Sequence, residues 1–171
     1  MVVRPRSSLN KNSDDDVKLK VLGAVIDADV DPNARWEEVR AALAKSGYVL
    51  PTTPTREGTI LEAPKPGRPK LGIWLMPDNE ALGTLEDFFL RLVNEEDRLI
   101  SRAEDVVDSI PEEERLFGDT IRSKAIIHTW LAWQEQPGTP LGLSITKRYL
   151  DPTRNPAPEF KAWLEKLFVP D

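Results

Sequence analysis

The sequence has no cysteine and only one histidine among its 171 residues. The first absence removes disulfides, thiol nucleophiles and every zinc site with a Cys ligand, and it suits a reducing compartment. The second weighs against a His-rich metal site or a His-based catalytic triad. No apolar run reaches the about 18 residues of a membrane-spanning helix, and the first residues lack the apolar stretch of a signal peptide. A cytoplasmic protein without membrane contact is the expectation. Positive charge is also in short supply, with 23 Lys and Arg against 29 Asp and Glu, a net charge of −6. A chain that holds nucleic acid by electrostatics alone shows a basic face. Contact with phosphate here requires something to screen the carboxylates, and a divalent cation would do so.

What is present describes an ordinary folded chain: 40% hydrophobic and 30% charged residues, in a length that fits one domain. Residues 1–17 have no apolar periodicity and read as a flexible lead-in; residues 18–171 read as a single domain. Val21 to Ile26 is a continuous apolar run ending at Asp27, the pattern of a strand buried on both faces in a parallel sheet. Asp31 and Pro32 then form a helix start, with Trp36, Val39 and Leu43 on one stripe and Gly47 as a stop. Residues 49–58 form a loop, residues 59–63 a short strand, and residues 64–69 a Pro/Gly turn. Leu71 to Met76 is a second apolar strand, running into the acidic loop of Asp78 and Glu80. Thr84 and Asp87 have capping-box spacing ahead of Leu85, Phe88, Phe89 and Leu92. The remainder reads as helices: one through Leu99, Ala103 and Ile110 stopped by Pro111, then residues 119–135, 140–150 and 158–168. The expected fold is α/β, with a mostly parallel sheet, flanking helices and a helical carboxyl-terminal half.

Side chains two apart in an extended segment point the same way. Asp27 and Asp29 would therefore stand side by side at the carboxyl end of a buried strand, the edge where open α/β sheets bind ligands. Two carboxylates this close repel unless one takes a proton or a cation lies between them. Oxygen ligands without Cys or His favour Mg²⁺ or Mn²⁺ over zinc. Asp78 would reach the same edge from a neighbouring parallel strand, and Glu86 could face it from the next helix. The plain alternative is that these acids are polar loop residues at strand ends, while Asp31 and Thr84 cap helices. Apolar strand followed by D-x-D is also the pattern of haloacid-dehalogenase-like phosphatases. After Asp29, however, come Val30-Asp31-Pro32, where that family has Thr or Val and then Leu.

The segment from Leu22 to Asp29, followed by Arg35-Trp36, resembles the D-x-D core of Toprim domains, such as those of overcoming-lysogenization-defect nucleases. The blocks around Gly72 to Asn79, Gly83 to Phe88 and Lys124 to Glu135 resemble an uncharacterised bacterial family related to Toprim. The resemblance implies a Toprim-like fold and Mg²⁺-dependent phosphodiester chemistry on nucleic acid. It also implies site roles: Asp27 and Asp29 as metal ligands, Thr84 and Glu86 as the Ser/Thr-x-Glu element for a second metal, and Lys124 as a fixed positive charge at the transition state. Toprim enzymes carry a glutamate upstream of D-x-D, and none precedes Asp27 here. The expectation is a domain missing its first strand, with a second reading as a non-catalytic module that binds a protein partner, regulates a neighbour, or self-associates through an exposed sheet edge. His128, Trp130, Trp133 and Trp163 are expected to pack, the tryptophans having base stacking as their alternative. The cations of residues 65–70 read as a solvated loop.

Overall fold

A computed structural model describes Val2–Val3 and residues 19–169. The strands are β1 (Val2–Val3), β2 (Val21–Asp27), β3 (Thr59–Leu61) and β4 (Lys70–Met76). The α-helices are α1 (Pro32–Ala44), α2 (Leu85–Leu90), α3 (Arg98–Asp108), α4 (Arg122–Ala132) and α5 (Ala157–Phe168). Apart from Val2–Val3, the lead-in of residues 1–17 lies outside the described residues.

The sheet order is β1-β2-β4-β3. β2 and β4 run parallel, with Asp27 opposite Met76, whereas β1 against β2 and β3 against β4 are antiparallel. Among the described residues the sheet is therefore mixed, and its parallel character is confined to the central pair. The cause is connection length. The chain between β2 and β4 holds a whole helix, enough for a crossover, but residues 62–69 between β3 and β4 allow only a reversal.

Alternation along β4 builds a core on each face. Leu71, Ile73 and Leu75 pack with Trp36 of α1, Tyr48 and Leu50. Trp74 and Met76 pack on the other face among Phe88, Ile127, Trp130, Trp163 and Leu167. The result is α1 on one face and α2 to α5 on the other. α5 comes so close that a Cβ at Gly72 would stand 2.3 Å from Leu167 Cδ2, so a side chain here would force Leu167 to move. β2 is less enclosed than expected, with only Gly23 and Val25 buried, because β1 covers just its middle.

Local signals in the sequence are realised where they are short-range. Asp31 Oδ1 accepts from the Asn33 and Ala34 amides, both at 3.0 Å, and Pro32 opens α1. The segment expected to be helical over residues 140–150 contains only a 3₁₀ turn, Leu141–Leu143. Ser144, fully buried, bonds back to the Leu141 carbonyl at 2.5 Å, and Arg148 adopts a left-handed φ of 60°. Side-chain competition for the backbone is what ends a helix here. α4 is shorter than residues 119–135, being preceded by the 3₁₀ turn Asp119–Ile121. His128 is exposed rather than packed, because Ile126, Ile127, Trp130 and Leu131 take the buried face of α4. Trp130 and Trp163 are core residues, whereas Trp133 is 40% exposed.

Candidate functional site

The strand ends differ from a simple pair of extended acids. β2 stops at Asp27, and Asp29 has a left-handed φ of 54°, a conformation that costs a non-glycine residue about 1 kcal/mol. It is held there by a reciprocal backbone bridge with Gly83, Asp29 N to Gly83 O at 2.9 Å and Gly83 N to Asp29 O at 2.7 Å. That bridge draws the loop before α2 against the end of β2. Asp27 and Asp29 still share one hollow of about 360 Å³, together with Val25, Ile26, Arg35 and Leu85.

Each acid of this edge has a positive neighbour supplied by the protein. Asp27 Oδ1 accepts from the Leu85 amide at 2.8 Å, in the first turn of α2. Asp29 pairs with Arg35 Nη2, while Arg35 Nη1 bonds Glu38 at 2.7 Å. Glu86, 12% exposed at its side chain, pairs with the exposed Lys124 at 3.1 Å. α2 itself is anchored through Asp87, whose Oδ2 accepts from Thr84 N at 2.7 Å and Thr84 Oγ1 at 3.0 Å, and whose Oδ1 accepts from Ser123 Oγ at 2.5 Å. The capping box expected from Thr84 and Asp87 thus also ties α2 to α4, and so brings Lys124 to Glu86.

Asp27 remains under electrostatic load. Its carboxyl is pushed above the ordinary 3.8. Lost hydration is the largest cause, opposed by the Leu85 amide and reinforced by the negative charges of Glu86 and Asp29. Ionising the group is unfavourable here, and added positive charge would relieve it.

Asp78 is placed elsewhere. It lines a separate hollow with Arg56, Trp74, Glu80, Arg91 and Glu159. Its Oδ1 accepts from the Glu80 and Ala81 amides at 3.1 and 2.7 Å, and Oδ2 pairs with Arg91 at 2.5 Å. Burial would raise its pKa, but the Ala81 amide, Arg91 and the Glu80 amide outweigh it, and the carboxyl lies below its usual value. Of the acids expected at one edge, the structure brings together Asp27, Asp29 and Glu86, with Lys124 beside them, and leaves Asp78 out. The sequence reading missed Arg35 as a member of the site. Its signal was present, because Arg35 lies one helical turn past the Asp31 cap, on the side facing back toward Asp29.

Among the described residues no group of three acids or histidines converges in a way that could hold a metal ion. Asp27 and Asp29 nevertheless have the donor type of a Mg²⁺ site, which commonly uses one or two protein carboxylates and completes its shell with water and substrate phosphate. The residues fit such an ion in chemistry and in charge, provided Arg35 gives up Asp29.

The family model described as a protein of unknown function (DUF3226) matches residues 3–169. No curated protein and no solved structure matches the chain.

Proposed function

We propose that this chain, which belongs to the DUF3226 family, is a Toprim-like protein that holds Mg²⁺ or Mn²⁺ at Asp27 and Asp29 and engages nucleic-acid phosphodiesters there. The observation that carries the proposal is geometric: the Asp27 and Asp29 carboxylates line one hollow at the end of β2, together with Arg35 and Leu85. The parallel β2–β4 pair, with Asp27 closing β2, supports the Toprim-like reading of the sheet. When bound, the ion supplies positive charge for the phosphate and lowers the pKa of a coordinated water. Asp27 and Asp29 would hold it. Glu86 pairs with Lys124, whose ammonium offers positive charge near the same edge. Asp78 is not part of the proposed site.

The test is calorimetric titration of Mn²⁺ into the wild type and the Asp27→Asn/Asp29→Asn double variant, paired with a Mg²⁺-dependent cleavage assay on single- and double-stranded DNA and RNA. Binding by the wild type alone supports the site. Equal binding by both proteins removes it.

A second reading, a non-catalytic Toprim remnant that binds a partner, draws on the internal compensation of the acids by Arg35, Lys124 and the Leu85 amide. Val30 and Leu82, 68% and 64% exposed, flank the Asp29–Gly83 bridge and would serve a docking surface. Metal binding without cleavage of any nucleic acid would favour it.

A further inference from the structure

Among the described residues, Arg35 is the cation that lines the hollow containing Asp27 and Asp29. It is divided between two acids, Asp29 through Nη2 and Glu38 through Nη1. Glu38 is three residues along the same helix and its side chain is 67% exposed. The third donor position, Nε, is buried and has no acceptor among the described residues. A guanidinium with five N–H donors is therefore using only part of its capacity, and the shared partner, Asp29, is the residue a divalent ion would claim.

We infer that Arg35 is the phosphate-binding residue of this site, masked by Asp29 until a divalent cation takes Asp29 over. The inference rests on the cation-binding reading above and names the group that would recognise the phosphate. Loss of Asp29 does not strand the guanidinium, because Glu38 keeps it in place on α1. The freed donors would belong to the hollow that Asp27 and Asp29 line, and would be available to a phosphate there. Arg suits this task better than Lys, because its planar fork meets two phosphate oxygens at once. Cation and phosphate thus reinforce each other through one side chain: the ion frees Arg35, and the phosphate keeps it from returning to Asp29.

The experiment uses Mn²⁺ alone and then inorganic pyrophosphate at saturating Mn²⁺, titrated calorimetrically into the whole chain as wild type, Arg35→Gln, Arg35→Lys and Glu38→Gln. Circular dichroism and thermal unfolding check that each variant is folded. Arg35→Gln is expected to tighten Mn²⁺ by about threefold to tenfold, because Asp29 loses its competing charge. In the same variant, pyrophosphate binding weakens by about tenfold or more. Arg35→Lys keeps the wild-type Mn²⁺ affinity and recovers only part of the pyrophosphate binding. Glu38→Gln weakens Mn²⁺ a few-fold, since Arg35 then has Asp29 as its remaining partner. Unchanged pyrophosphate affinity in Arg35→Gln, with Mn²⁺ still bound, overturns the role of Arg35 and leaves the cation site standing. Absence of Mn²⁺ binding in both wild type and Arg35→Gln overturns the cation site itself, and the inference with it.

Discussion

Two neighbouring strands each lead into an aspartate, and the two ends have opposite electrostatic characters. At the end of β4, Asp78 accepts two backbone amides and an arginine, and its carboxyl is stabilised as an anion. At the end of β2, Asp27 receives a single amide while facing Glu86 and Asp29, and its anion is disfavoured. Equal residues at equivalent edges are thus a fastener in one case and a loaded group in the other. Satisfied acids contribute to folding, whereas an acid whose anion is disfavoured among other acids is a candidate position for a ligand. That contrast, more than the D-x-D spacing, singles out the β2 end.

The largest expected effect tests the fastener. Asp78→Ala leaves two amides and Arg91 without their acceptor and is expected to cost about 2–3 kcal/mol of stability, read by urea denaturation at pH 7. A loss below about 0.5 kcal/mol would erase the distinction between the two ends.

The pH profile sharpens it further, because the two acids act with opposite sign. Asp78 has a folded pKa below the ordinary 3.8, so its stabilisation is present above that value and is lost as pH falls through the lower one. Asp27 has a folded pKa above 3.8. Its contribution is complete below 3.8 and is lost as pH rises through the folded value. Asp27→Asn, which keeps an oxygen for the Leu85 amide, is expected to hold or slightly raise stability at neutral pH and to flatten this fall. The gain is small because Asp27 is still exposed to solvent. A clear loss of stability at pH 7 in Asp27→Asn would show that the anion is not under load.

The smallest effect on folding belongs to Lys124→Ala. Lys124 is 54% exposed, so breaking its pair with Glu86 is expected to change stability by at most about 1 kcal/mol. On the proposed function, the same change lowers Mg²⁺-dependent cleavage while leaving Mn²⁺ affinity within about twofold. A loss of stability well beyond that range would make Lys124 a structural residue.

Much of the fold was legible because its causes are local. Asp31-Pro32 opens a helix within three residues of itself, the apolar run Leu71 to Met76 is the central strand, and Thr84 with Asp87 caps α2. The site was legible only in part. Strand-end spacing and helix-start position suggested the grouping of Asp27, Asp29 and Glu86, and the resemblance added Lys124; in three dimensions it is carried by contacts that no local pattern encodes, such as Leu85 N to Asp27, 58 residues apart in sequence. Asp78 misled because strand-end position does not say which way a side chain turns. Its Asx-type bonds to the next residues and Arg91, 13 residues on, hold it in another hollow. Residues 140–150 misled for a related reason: an apolar stripe is present, but Ser144 turns its hydroxyl onto the backbone and the chain leaves the helix.

The central claim, that the β2 end accepts a divalent ion which the β4 end does not, is tested most directly by soaking crystals in Mn²⁺ and collecting anomalous diffraction. The expected result is a peak between the Asp27 and Asp29 carboxylates, with Arg35 turned to Glu38 and no peak at Asp78. Crystals with Arg35 still on Asp29 and no anomalous signal at this edge would contradict the account.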